Sequence, residues 1–454
     1  FITLMRQRAL ESDIIIVNHH LFFADLAVRE EEYAAIIPEY GAVIFDEAHE
    51  LEEVAGQYFG LSVSNYQLQE LERDVRALAR RKDFGSEELD GILDGLAEAA
   101  LGFFSLFGES EGRAAFREHA AFLEKHEEPY RDLLRSLDLL GAHLETIQEA
   151  PEEVLPLHRR TAELGQALAF WMAGAERGFV YWVERRGRGC FLQATPIDVS
   201  GILKEKLFNA VETTVLTSAT LAVAGTFEYL TRRLGLEHAR TLIVPGHFDF
   251  RKQALLYVPQ QLPDPRDDDF ARRAAEEVVR VLRLSRGRAF VLFTSYQQMR
   301  VVHDLVSFEI EYPTLLQGTG PRTALLEEFR RTPNCVLFAT ASFWQGVDVP
   351  GEQLSCVIID KLPFAVPNDP VVEARIRAIR EEGGNPFYEY QVPQAALALK
   401  QGFGRLIRSR ADRGVLVLLD GRIIRQRYGQ VFLDSLPDYT FTTSIQDVEA
   451  FFDV

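Results

Sequence analysis

Cysteine is nearly missing from this chain. Its three residues, Cys190, Cys335 and Cys356, stand far apart with no C-x-x-C spacing. That argues against a disulfide framework and against a zinc site built from this chain. A reducing cytoplasm is the expected compartment. Long hydrophobic runs are missing too. None approaches the ~18 apolar residues of a membrane helix, and Phe1–Leu10 carries two arginines but no apolar signal-peptide core. The first residue is Phe1 rather than Met, so a piece cut from a longer chain is expected. Positive charge is in deficit: the net charge is −19, where binding to phosphates wants a basic footprint. The deficit is uneven. Residues 51–180 hold 25 Asp and Glu against 13 Lys and Arg, a net of −12, which leaves −7 for the other 324 residues. Net charge governs solubility and association, not the sign of one groove. Finally, no G-x-x-x-x-G-K-[ST] string occurs. The chain therefore has no recognisable loop to cradle β- and γ-phosphates with backbone amides and a lysine.

What remains is the composition of an ordinary globular protein, 47% hydrophobic and 26% charged over 454 residues. That length predicts two to four domains. Short apolar runs at 13–17 (DIIIV) and 42–45 (AVIF) read as fully buried strands of a parallel sheet. From 55 to 175 strand signals vanish. Tyr66, Leu68, Leu71, Val75 and Leu78, and later Leu133, Leu137, Leu140, Leu144 and Ile147, recur near helical spacing. An all-helical insertion is expected there. Residues 178–196 read as two strands joined by a basic, glycine-containing turn. Strands are then expected at 254–258, 288–293, 335–339, 354–359 and 415–419, with a helix over 270–286 that Asp268 or Asp269 can cap. Alternating strand and helix predicts a parallel sheet with right-handed crossovers. The fold class is α/β.

Chemistry concentrates where strands end. Val43-Ile44-Phe45 runs straight into Asp46 and Glu47, followed by Ala48 and His49. Ligands of open α/β sheets bind at the carboxyl edge. There Asp46 can hold hydrated Mg²⁺, Glu47 can take a proton from an attacking water, and His49 can couple the site to its surroundings. A bland alternative is helix capping by acidic residues. Far downstream, Arg405 and Arg408 of Gln401-Gly402-Phe403-Gly404-Arg405-Leu406-Ile407-Arg408 sit three apart, on one face if the segment is helical. Two guanidinium groups can straddle a γ-phosphate, and Gly402 and Gly404 permit close backbone approach. After another expected strand, Asp348 could meet a nucleotide ribose, with Gly346 beside it in the nucleotide-binding loop, and Thr340 or Ser342 could meet a nucleic-acid backbone. Ser218 and Thr220 of Thr217-Ser218-Ala219-Thr220 can relay between nucleotide and DNA, or simply cap a helix. Thr294, Ser295 and Tyr296 offer hydroxyls and a ring to phosphates and bases. The pair His19-His20 has no third ligand at metal-site spacing, so a metal reading is rejected.

The strings DEAH at 46–49, TSAT at 217–220, FTSY at 293–296, the Gly346–Asp348 loop and Q-x-x-G-R-x-x-R at 401–408 resemble the DinG/XPD-type helicases of superfamily 2. So does SDIIIVNHHL at 12–21, which is similar to the stretch that follows that family's iron–sulfur module. The likeness covers the whole chain and lies nearest the bacterial DinG-like branch. It implies two RecA-like lobes with a helical arch: a first lobe over 1–54 and 176–224, the arch over 55–175, and a second lobe over 225–454. It also implies ATP and Mg²⁺ as cofactors, single-stranded DNA as partner, 5′→3′ translocation and a 4Fe–4S cluster whose ligands lie outside this chain. Gln401 and Gly404 fall within the family's final arginine motif. The missing phosphate loop implies that the piece alone hydrolyses no ATP. One rival is a non-catalytic nucleic-acid-binding scaffold, which reading the gene upstream of Phe1 would separate from the motor. Another is a nuclease, for which no further carboxylate cluster stands out. Membrane association is not expected, and protein partners stay open.

Overall fold

A strand with both faces covered reads as an unbroken apolar run, because no side of it meets water. In the computed structural model such runs alternate with helices along much of the chain. The structure describes residues 2–29, 36–108, 110–236, 238–340, 343, 349 and 351–453. Contacts divide the chain into two units. The first is Phe1–Leu216 with Arg233–Leu236 and Val366–Gly383; the second is Thr217–Arg232, Glu237–Ala365 and Gly384–Val454. The short segments 233–236 and 366–383 thus belong by contact with the first unit, although they follow the expected start of the second lobe. No helix among the described residues is long and apolar enough to cross a membrane.

In the first unit, β1 (Ala42–Phe45), β2 (Leu61–Ser64), β3 (Gly112–Ala115), β4 (Phe179–Arg186), β5 (Gly189–Pro196) and β6 (Thr213–Leu216) form two sheets. β1 pairs in parallel with β6, Phe45 opposite Leu216. The other four make an antiparallel sheet in the order β2-β5-β4-β3. Between β2 and β4 run the helices Asn65–Lys82, Glu87–Ser105, His119–Glu145 and Val154–Ala173. Ser64 and Ser86 cap the first two through the amides of Gln67 and Leu89. Leu68, Leu71, Val75 and Leu78 pack with Leu93, Phe103, Leu137, Leu140 and Trp171 in one core. The insertion is therefore helical, but not wholly so. β2 and β3 interrupt it with four residues each, too short to show an alternation, and β3 is exposed along its length. Residues 13–17 form no strand. Ile14 and Ile16 are exposed and no described strand pairs with them. An apolar run marks the potential for a strand, but a ladder needs a partner.

Glu52, in the helix Leu51–Tyr58, ties the distant segments to this unit. Its carboxylate meets Arg233 and, at 2.8 Å, Arg375, whose Nε also donates to the Ile197 carbonyl at 3.3 Å. Burial pushes Glu52 up, but the two guanidinium groups outweigh it and hold the carboxyl below its ordinary range. Glu52→Ala removes the carboxylate that two largely buried guanidinium groups share. It is expected to cost about 3–5 kcal/mol in denaturant unfolding, whereas a surface pair such as Arg131–Glu127 is expected to cost under about 1 kcal/mol.

The second unit holds β7 (Ala254–Tyr257), β8 (Ala289–Phe293), β9 (Thr314–Leu316), β10 (Val336–Thr340), β11 (Cys356–Ile359), β12 (Gly414–Leu418) and β13 (Thr440–Thr442). All run parallel in the order β13-β7-β12-β11-β8-β10-β9. β7, β8, β10, β11 and β12 are buried at every residue. The helix Phe270–Ser285 lies as expected, but Asp269 at its start does not cap it; its carboxylate goes to Arg272 instead. Asp269 already has helical φ and ψ, which turn its side chain away from the first-turn amides.

Candidate functional site

The end of β1 presents the acidic pair. Phe45 is buried, and the next two residues are exposed carboxylates at the carboxyl edge. Glu47 sits in the left-handed region at φ 49°, ψ 44°. A residue with a Cβ reaches that conformation only at a cost, and such strain gathers at functional sites. The turn is held by the Glu47 amide donating to Asp46 Oδ1 at 3.0 Å. His49 Nδ1 stands 3.4 Å from Glu47 Oε2, with the imidazole mostly buried. Asp46, Glu47 and His49 therefore form one cluster. The other Asp46 oxygen, Oδ2, accepts no hydrogen bond among the described residues. One open carboxylate oxygen suits a Mg²⁺ ion that keeps its waters and its nucleotide oxygens. No described group of three His, Cys, Asp or Glu side chains could hold a metal by itself. The three thiols do not fit an iron–sulfur cluster, which needs thiolates. All are buried, and burial pushes Cys190 and Cys335 up to about 11 and raises Cys356 as well.

In the second unit the structure joins two of the sequence motifs. Gln401 Nε2 donates to Thr220 Oγ1 at 3.4 Å. Thr220 in turn lies 3.2 Å from the Ser218 hydroxyl, which also accepts from the Thr220 amide. The helix Val392–Phe403 stops before the arginines, its end marked by Gly404, so Arg405 and Arg408 share no helical face. They lie instead on a pinned loop. Leu406 and Ile407 are buried in the core between them. Asp412 accepts from the Arg408 and Ser409 amides at 2.7 Å each, and Gln253 Nε2 donates to the carbonyls of Ser409 and Asp412. A loop anchored at its middle and far end can aim both guanidinium groups without a helix.

The carboxyl edge of the seven-stranded sheet carries the other group. Beyond β8, the Thr294 amide donates to Asp360 Oδ1 at 3.1 Å. Ser295 caps the helix Tyr296–Ser307, so its hydroxyl serves the fold. Tyr296 is half exposed, and its phenol accepts from Gln317 Nε2 at 2.6 Å. Gln317 Oε1 accepts both the amide (2.6 Å) and the hydroxyl (3.0 Å) of Thr340. One amide thus links the ends of β8 and β10. Ser342, Gly346 and Asp348 lie outside the described residues. Gln317 and Asp360 escape the sequence reading, although Asp360 follows the apolar strand CVII as Asp46 follows AVIF.

Asp360 is wholly buried. Burial, reinforced by Asp420 nearby, pushes its carboxyl from an ordinary 3.8 up to about 7, against the opposing pull of Lys361 and the amides it accepts from. A carboxyl raised on folding contributes stability below its unfolded value, and that stability is lost as pH rises through about 7. Asp360→Asn keeps an acceptor for the Thr294 amide without the charge. Its melting temperature relative to wild type is expected to climb between pH 5 and pH 8; a constant difference would refute the buried-acid reading.

Residues 278–439 match the family described as Helicase C-terminal domain. The chain is similar to the ATP-dependent DNA helicase YoaA of Escherichia coli K12, at 38% identity over 98% of this chain and 70% of that protein. It is 28% identical to the 3′-5′ exonuclease DinG of Bacillus subtilis, over 98% of this chain and 53% of that protein. In fold it is similar to Xpd4 of S. tokodaii, with a TM-score of 0.61, 16% identity, and coverage of 94% and 81% of the two chains.

Proposed function

We infer, for a chain that belongs to the YoaA and DinG family of ATP-dependent DNA helicases, that it carries the hydrolytic acid pair and the arginine loop of a 5′→3′ motor on single-stranded DNA, acting in DNA repair or replication. The single observation behind this reading is the left-handed Glu47, presented at the carboxyl edge of β1 beside Asp46. Nothing in packing alone requires a glutamate there.

Asp46 would hold the hydrated cation of Mg–ATP through its open oxygen. Bound Mg²⁺ offsets charge on the phosphates. Glu47 accepts the proton of the attacking water, and His49 steadies Glu47. Arg405 and Arg408 neutralise charge that grows on the transferred phosphoryl group. The Gln401–Thr220–Ser218 chain reports nucleotide state to neighbouring loops. Thr294 and Tyr296 hold the DNA strand with little sequence preference; Thr340, expected from sequence to join them, is buried with its hydroxyl on Gln317 and acts only through that amide. The roles of Ser342, Gly346 and Asp348 in DNA and ribose contact stay part of this proposal.

A strand-displacement assay on the full-length protein tests the polarity. Duplex with a 5′ single-stranded tail should be unwound with ATP, and duplex with only a 3′ tail should not. The reverse preference overturns the direction, and DNA binding with no ATP turnover favours the scaffold. The exonuclease named in the Bacillus relative is not carried over, since this chain matches 53% of that protein and shows no metal-holding group among its described residues.

A further inference from the structure

Just beyond the acidic helical insertion lies a basic turn. β4 and β5 meet in a tip of Arg185, Arg186, Gly187 and Arg188, with Gly187 at φ 57° making the turn. Several arginines in this region are matched to acids. Arg76 pairs with Glu72, Asp90 and Asp94, Arg160 with Glu70 and Asp74, and Arg113 with Glu184 and Asp369. Arg186 and Arg188 are exposed and make no ion pair among the described residues. Of the nearby acids, Glu184 is paired to Arg113, and Glu111 accepts the Gly187 amide at 3.3 Å.

The tip is also built. Asn65 clamps it from both sides, accepting from the Cys190 amide at 2.9 Å and donating to the Arg188 carbonyl at 3.1 Å. Two rings close on Gly189. A Cβ there would stand 2.6 Å from Phe191 and 2.7 Å from Tyr66, so only glycine permits the approach. Tyr66 meets Phe191 edge-on at 6.0 Å and stays exposed, and the Arg186 guanidinium lies 5.3 Å from the Phe191 ring. Uncompensated guanidinium groups beside an exposed ring on a rigid turn match the two needs of a single strand: phosphates to neutralise and bases to stack.

We propose that this hairpin tip is a second contact for single-stranded nucleic acid, in which Arg186 and Arg188 take backbone phosphates and Tyr66 stacks a base. It rests on the DNA-helicase reading and adds a site remote in sequence from every strand-end motif above. The test is fluorescence anisotropy of a labelled single-stranded oligothymidylate on the full-length protein over a range of salt, with thermal melts as a check of folding. Each phosphate contact contributes about 0.7 to the slope of log affinity against log salt for single strands. The double variant Arg186→Gln/Arg188→Gln should lose roughly 1.4 of slope. Arg188→Gln alone, whose side chain makes no described contact, should lose roughly 0.7, and lysine at both positions should restore it. Tyr66→Leu should weaken binding about tenfold with the slope unchanged. Wild-type slope in both glutamine variants overturns the tip alone. No oligonucleotide binding by the wild type overturns the helicase reading with it. Binding of an acidic peptide in preference to the oligonucleotide assigns the tip to a protein partner and also overturns the proposal.

Discussion

Glu47→Gln should abolish DNA-stimulated ATP hydrolysis in the full-length protein while leaving single-stranded DNA binding intact. The amide fills the same space and can keep the contact to His49, but it accepts no proton. A positioned general base contributes roughly 10²–10⁴ in rate, so turnover should fall by at least about a hundredfold. The strained turn should survive, because its strain lies in the backbone at φ 49° and its hydrogen bond comes from the Glu47 amide, not its side chain. Glu47→Gly separates the two roles. It relieves the left-handed conformation, so it should raise stability while activity is lost. Unchanged turnover in Glu47→Gln would refute the assignment of the base.

The second large effect belongs to the arginine loop. Arg408→Ala should lower kcat by about 10³–10⁵, the range seen where an arginine neutralises a transferring phosphoryl group. The KM for ATP should change far less, since the interaction grows only in the transition state. Folding should be spared. Leu406 and Ile407 still anchor the loop in the core, and Asp412 caps it through backbone amides that alanine retains. Arg408→Lys should recover little, because an ammonium cannot reproduce the planar two-point contact of a guanidinium. Arg405→Ala should behave similarly.

Much of this architecture can be read from residue order, for a local reason. β7, β8, β10, β11 and β12 are buried on both faces, so each is a continuous apolar run. β9 and β13 lie at the two ends of the sheet order with three residues each, TLL and TFT, and carry no such signal. The run at 13–17 has the signal but no partner, because pairing is a property of the whole sheet and not of the segment. In the site, the acids after β1 are legible because a strand that ends in carboxylates is unusual chemistry. The spacing of Arg405 and Arg408 suggested a helical face, although Gly404 is itself a helix-stop signal. Gln317 has no local signal, since its role lies in hydrogen bonds to Tyr296 and Thr340 that only the folded sheet brings together. The attachment of 233–236 and 366–383 to the first unit through Glu52 was equally hidden, because a buried ion triad has no local pattern.

Glu47 and Arg408 are proposed to act in one reaction, the hydrolysis of ATP. A kinetic double-mutant cycle on the full-length protein, reading DNA-stimulated ATP turnover in Glu47→Gln, Arg408→Ala and the combined variant, addresses it directly. Groups that act on one transition state are strongly non-additive, so the combined variant should be little slower than the worse single one. Rate losses that simply multiply, or a single variant with wild-type turnover, would contradict it.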